Sequence, residues 1–216
     1  MNIVAPPKIV ELRQVLARRF PPQTVPPASL AATGLPSLDQ ILGGGLLRGA
    51  VTQIIAPLPS TGATLFLQEL IHALRAQAQL VALVDGADCF EPVSAADHLL
   101  WVRCRYALEA VKAADLLLRD GNIPVTILDL KQNREAELRK IPGQTWYRLQ
   151  RVAEEAQTTL LLLTRHPLAS SAAMNLYVRS ALVHDDLSSF SSALVAALCF
   201  QAQRRKPFQE PAYAEM

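Results

Sequence analysis

The sequence predicts an α/β domain with a mainly parallel sheet flanked by helices and antiparallel edge strands near the C-terminus. Two observations carry this expectation. Residues 51–55, 80–84, 125–128 and 159–164 are short runs with little polar alternation, as strands buried on both faces require. Amphipathic helical runs separate several of these strands, and β–α alternation is the pattern that yields parallel pairing. The segments around 176–183 and 193–201 are expected to form the antiparallel edge.

In chain order, residues 9–20 (I-V-E-L-R-Q-V-L-A-R-R-F) place Ile9, Leu12, Val15 and Leu16 at helical spacing. Residues 21–27 (P-P-Q-T-V-P-P) forbid continuation of that helix and favour a stiff linker. The helix is expected either to offer its apolar face to a partner or to fold back on its own domain. Thr33-Gly34-Leu35-Pro36-Ser37-Leu38-Asp39 then leads into a short helix stopped by Gly43-Gly44-Gly45. Strand 51–55 precedes a loop and helix 65–76. Strand 80–84 ends at Asp85, strand 99–103 precedes helix 107–119, and strand 125–128 ends at Asp129. Helix 146–155 precedes strand 159–164. The expected organisation is an N-terminal helix and Pro-rich linker over 1–28, a core over 29–202 and a flexible tail over 203–216.

Composition bounds the rest. A chain of 216 residues, half of them hydrophobic, suits one domain with short extensions. A net charge of +2 is too small to demonstrate nucleic-acid binding. Cys89, Cys104 and Cys199 are scattered without metal-ligand spacing, as expected of reduced thiols in a cytoplasmic protein. No metal site, signal segment or membrane span is expected. His72, His98, His166 and His184 have no serine or cysteine at motif spacing, so no hidden hydrolase site is expected.

Residues 57–64 read P-L-P-S-T-G-A-T between a strand and a helix. That is the position of a phosphate-binding P-loop, G-x-x-x-x-G-K-[ST]. Gly62 and Thr64 are in register. Pro57 takes the place of the first glycine, and Ala63 takes the place of the lysine. The outline of a nucleotide site is kept without its phosphate-binding charge. Pro57 and Pro59 also lack the backbone N–H groups that cradle phosphate.

Several separated segments resemble the RecA-like superfamily in order: T-G-L-P-S-L-D-Q-I-L-G-G-G-L-L-R-G-A (33–50), V-D-G-A-D-C-F-E-P (84–92) and I-L-D-L (127–130), the last at the Walker B place. The resemblance covers about residues 29–202. Within that superfamily L-L-W-V-R (99–103), A-L-E-A-V-K-A-A-D-L-L-L-R-D-G (107–121) and R-L-Q-R-V-A-E-E-A-Q-T-T-L-L-L-L-T-R (148–165) are most similar to the ImuA family of translesion-synthesis accessory proteins.

The resemblance implies what hydrolysis needs and what this chain offers. Ala63 replaces the charge-neutralising lysine, Ala87 the water-orienting carboxylate beside Asp88, and Ser94 the adenine-stacking ring. Asp129 and Thr64 keep the metal-side positions. Gly62, Ala63, Thr64 and Asp129 are therefore expected to be a vestigial site that binds neither ATP nor Mg²⁺, and the chain is not expected to be an enzyme. The resemblance further implies an accessory or scaffold role in DNA-damage-induced mutagenesis (the SOS response). Its implied partners are RecA, a Y-family polymerase-like protein and a mutagenic replicative-type polymerase. The competing readings are a recombination ATPase with a rearranged site and a paralogue that modulates RecA filaments.

The resemblance also places Lys131, Arg134, Arg139 and Lys140 in a first DNA-facing loop and Arg165 and Arg179 in a second. Trp146, Tyr147 and Tyr177 flank these loops, and exposed aromatics beside cations suit single-stranded DNA. Glu135 and Glu137 interleave with the first group, so a solvated helical face explains it equally well. Arg204-Arg205-Lys206 open the tail. Phe208 and Tyr213 in the tail are the expected partner-binding residues, with an ordinary frayed terminus explaining that segment equally well, and Ile9, Leu12 and Leu16 at the N-terminus are expected to bind a partner or self-associate.

Overall fold

The computed structural model describes residues 30–58, 61–92, 98–180, 194–195 and 198–204. The N-terminal helix, the tail beyond 204, Ser94 and His184 lie outside these, and with them Ile9, Leu12, Val15, Leu16, Phe208 and Tyr213. The first elements are strand β1 (Leu30–Ala31), helix α1 (Pro36–Leu42) and strand β2 (Leu46–Leu47), with β1 antiparallel to β2. Asp39 explains the local sequence. Its carboxylate accepts from Thr33 N at 2.9 Å and Thr33 Oγ1 at 2.8 Å, which ties the incoming loop to the helix. Gly43, at φ 77°, ends α1 in the left-handed conformation that glycine adopts without a Cβ penalty.

Then follow β3 (Val51–Ile55), α2 (Ala63–Ala76), β4 (Val81–Asp85), β5 (Leu99–Arg103), α3 (Ala107–Asp120), β6 (Val125–Asp129), α4 (Glu135–Leu138), α5 (Gly143–Ala156), β7 (Thr159–Thr164), β8 (Met174–Ser180) and β9 (Leu198–Arg204). The last seven strands form one sheet in the order β5-β4-β6-β7-β3-β8-β9. The connection from β3 to β4 runs one way along the sheet and carries α2. Those from β5 to β6 and from β6 to β7 run back and carry α3 and α5. Right-handed crossovers then force the helices onto opposite faces. One core layer accordingly holds Phe66, Leu70, Leu83, Ile127, Leu161 and Leu176 under α1 and α2. The other holds Leu118, Leu128, Leu149, Leu160 and Leu162 under α3 and α5.

The α/β class, with a mainly parallel sheet and a late antiparallel pair, matches the expectation. Its C-terminal details differ. β8 is not an antiparallel edge strand: it pairs parallel with β3, and only β9 runs antiparallel, against β8. β9 continues to Arg204, two residues past the expected end of the core. Helix α5 begins at Gly143 rather than 146, because Pro142 fixes an extended entry and Thr145 N donates to Pro142 O at 2.9 Å. A proline and a glycine concealed that start. Among the described residues no helix is long and apolar enough to cross a membrane.

Candidate functional site

The chain reverses direction along the sheet between β3 and β6, and crevices at the carboxyl ends of such strands are where open α/β sheets take ligands. Asp85 ends β4 and Asp129 ends β6, and the two are direct cross-strand partners. Both lie on the α2 side, in step with Val81 and Leu83 on β4 and with Val125 and Ile127 on β6. Their exposures are 0% and 2%, so two carboxylates stand side by side out of water.

Each is held differently. Asp85 accepts from Phe90 N at 2.8 Å and Ala87 N at 3.3 Å, and Cys89 Sγ lies 3.8 Å from its Oδ1. Asp129 is held by the chain two residues on. Lys131 N donates to its Oδ1 at 3.0 Å, and Lys131 Nζ pairs with its Oδ2. Lys131 is 8% exposed. Burial pushes the Asp129 carboxyl above the ordinary range, the Lys131 ammonium pulls it back, and Asp85 adds a smaller upward push. Burial, followed by the charges of Asp85 and Asp129, raises the Cys89 thiol to about 11. The two strand ends are also locked through Asn133, whose Nδ2 donates to Gly86 O at 2.7 Å. Gly86 has no room for a side chain, since a Cβ there would meet Asn133 Oδ1 at 2.5 Å.

The loop over 57–64 leads into α2, with Gly62 at φ 78° immediately before the first helical residue. Phe66 N closes the first turn onto Gly62 O at 2.8 Å. Ala63 is buried and Thr64 is exposed, while residues 59 and 60 lie outside the described set. From the far edge of the sheet β9 folds over this turn. A Cβ on Gly62 would stand 2.5 Å from Leu198 Cδ2, and Phe200 meets Phe66 edge-on at 5.3 Å. Ala87 carries no acid, and its neighbour Asp88 is turned to Arg103, whose Nη2 donates to Asp88 Oδ2 at 3.0 Å. That contact lowers the Asp88 pKa. Among the described residues no group of three or more His, Cys, Asp or Glu is placed to hold a metal.

β3 carries a buried amide of its own. Gln53 of β3 is fully buried; its Nε2 donates to Thr164 Oγ1 at 2.8 Å and His166 O at 3.2 Å, and its Oε1 accepts from Ala169 N at 3.3 Å. One side chain thus fixes the end of β7 and the loop after it.

The residues expected to face DNA separate into two groups. Arg134, Arg139, Lys140 and Arg179 are exposed, and Arg139 pairs with Glu135 across one helical turn, its Nε 3.1 Å from Oε1. Lys131 points inward to Asp129. Arg165 is spent on the loop beside it, donating from Nε to Lys131 O at 2.7 Å and from Nη2 to Gln132 Oε1 at 2.8 Å. Of the flanking aromatics Trp146 is buried, Tyr177 is half-buried and Tyr147 is 56% exposed. Tyr106, 61% exposed at the start of α3 beside the exposed Arg105, has no signal in the sequence that marks it as a surface aromatic.

No family model matches the chain. It is similar to RecA proteins: 33% identical over 110 residues to that of Clavibacter michiganensis subsp. michiganensis (48% of this chain, 30% of that protein). It is 32% identical over 118 residues to that of Streptomyces venezuelae (51% and 31%). It is 34% identical over 104 residues to that of Methylococcus capsulatus (45% and 30%). The match spans about half of this chain and under a third of the length of these relatives. Together with the mostly parallel seven-stranded sheet, it supports a RecA-like relationship and a RecA-like α/β fold.

Proposed function

We propose that this protein is a RecA-like accessory or scaffold protein of the ImuA kind that does not hydrolyse ATP. It acts in DNA-damage-induced translesion synthesis by binding RecA, a Y-family polymerase-like protein and a mutagenic replicative-type polymerase. The observation that carries the reading is the pairing of Asp129 with the chain's own Lys131. In a magnesium-nucleotide site that carboxylate serves the metal, and a lysine at the start of the helix serves the phosphates. Here the carboxylate already has a cation. The helix starts with a buried alanine, Leu198 packs on Gly62, and Pro57 brings no N–H. These residues do not fit a magnesium nucleotide, so no catalytic step is assigned to them. The fold then serves as a rigid body that presents surfaces.

On this reading the exposed cations Arg134 and Lys140, with Tyr147 nearby in sequence, suit direct contact with single-stranded DNA. The N-terminal segment and the tail are left for protein partners or self-association. A second reading, a recombination ATPase with a rearranged site acting as a mediator on RecA, is favoured by the exposed Thr64 at the start of α2. Co-purification of the full chain with RecA and with a Y-family polymerase-like protein, with and without Mg·ATP, separates the two. Capture of both partners regardless of nucleotide supports the scaffold. Capture of RecA alone, and only with nucleotide, contradicts it.

A further inference from the structure

We infer that Lys131 is a built-in substitute for a divalent cation, holding the carboxyl edge of the sheet in one arrangement without metal or nucleotide. The inference deepens the reading of this site given above and rests on it. Three observations meet at this residue. Asp85 and Asp129 are adjacent, in register and buried, a pairing of charges that costs free energy unless a cation stands beside it. Two such carboxylates at strand ends are also the ligand type that Mg²⁺ takes alongside water. Lys131 places its ammonium on Asp129 Oδ2 and its own N–H on Oδ1, so one residue serves both oxygens. The backbone of the same residue then carries the arrangement outward: Lys131 O accepts from Arg165 Nε at 2.7 Å, and Arg165 Nη2 reaches Gln132. The loop after β6 and the loop after β7 are stitched together through the residue that supplies the positive charge.

The substitution is economical in sequence. An ammonium on a four-carbon stem two residues beyond a strand-end aspartate can reach back to it, which an external ion does only at the cost of its own binding equilibrium. Because the cation is covalently attached, this edge has no separate metal-loaded and metal-free forms.

The test is thermal melting of the full chain, comparing millimolar magnesium chloride with potassium chloride of equal ionic strength. Wild type is expected to melt alike in both. Lys131→Met leaves the carboxylates without a cation and is expected to melt about 10 °C lower in potassium, as for a broken buried pair, and to regain part of the loss in magnesium. Lys131→Met combined with Asp129→Asn removes the exposed need and is expected to melt above Lys131→Met in potassium and to ignore magnesium. Should Lys131→Met fail to fold, the same contrast is read from its refolded yield with and without magnesium. A wild type stabilised by magnesium beyond the potassium control overturns the inference. So does a Lys131→Met protein that melts like wild type or gains nothing from magnesium. Partner capture is read separately, so this inference can fail while the scaffold reading stands.

Discussion

Leu198 of β9 lies on Gly62 at the start of α2, so close that a Cβ on Gly62 would stand 2.5 Å from Leu198 Cδ2. Gly62 is also at φ 78°, where an L side chain is strained. Gly62→Ala is therefore expected to destabilise the protein by roughly 1–3 kcal/mol in urea unfolding. Leu198→Ala, at a buried site, is expected to cost about 2–5 kcal/mol. Their combination should cost less than the sum, because removing Leu198 relieves the steric part of the first change. Strict additivity would show that the two residues do not touch in solution.

Gln53 is a polar side chain in the middle of the sheet that satisfies three groups at once. Gln53→Leu keeps the volume and strands Thr164 Oγ1 and Ala169 N. A loss of about 1–3 kcal/mol is expected, as for a buried group deprived of its partner. Hydrogen exchange at Ala169 should accelerate while that in β4 and β6 stays slow. Unchanged exchange at Ala169 would mean that the loop is held by other contacts.

Cys89 is exposed as a residue, yet its thiol is raised to about 11, first by burial and then by the charge of Asp85. A raised thiol pKa leaves little thiolate at neutral pH, and the thiolate is the nucleophile. Alkylation of Cys89 by iodoacetamide, followed by peptide mapping, should be slow at pH 7 and rise about tenfold per pH unit toward pH 11. Asp85→Asn removes a charge and an acceptor that both favour the protonated thiol, so it should shift the profile to lower pH. A profile that levels off near pH 8 contradicts the geometry around Asp85.

If the exposed cations contact single-stranded DNA, Arg134→Ala and Lys140→Ala should each flatten the log–log salt dependence of binding by roughly 0.7 units, one released counterion apiece. Lys131→Met should leave that slope nearly unchanged, since its ammonium is buried on Asp129. Fluorescence anisotropy on an oligonucleotide across a salt series reads this. Equal slope changes for Arg134→Ala, Lys140→Ala and Lys131→Met would contradict the inward placement of Lys131.

The sheet was largely legible because β4, β6 and β7 are buried along their whole length and wear that fact as continuous apolar sequence. The direction of β8 was not legible, since parallel pairing with β3 depends on a strand over a hundred residues earlier. The two-residue strands β1 and β2 and the single turn α4 carry too few residues for any periodicity. For the site, the order of the loop and of Asp129 could be read directly. The roles of Lys131 and Arg165 could not: a basic residue after a buried strand looks the same in sequence whether its side chain turns outward to a phosphate or back onto its own carboxylate. Only burial and the position of Asp85 decide that.

We propose that this RecA-like chain does not turn over nucleotide. Phosphate release from ATP, measured with and without single-stranded DNA on the full chain, tests it most directly. No release above background is expected, and none after Ala63→Lys, because Ala87 and the proline at 57 remain. Turnover by the wild type that disappears on Asp129→Asn would reveal a working metal site and contradict it.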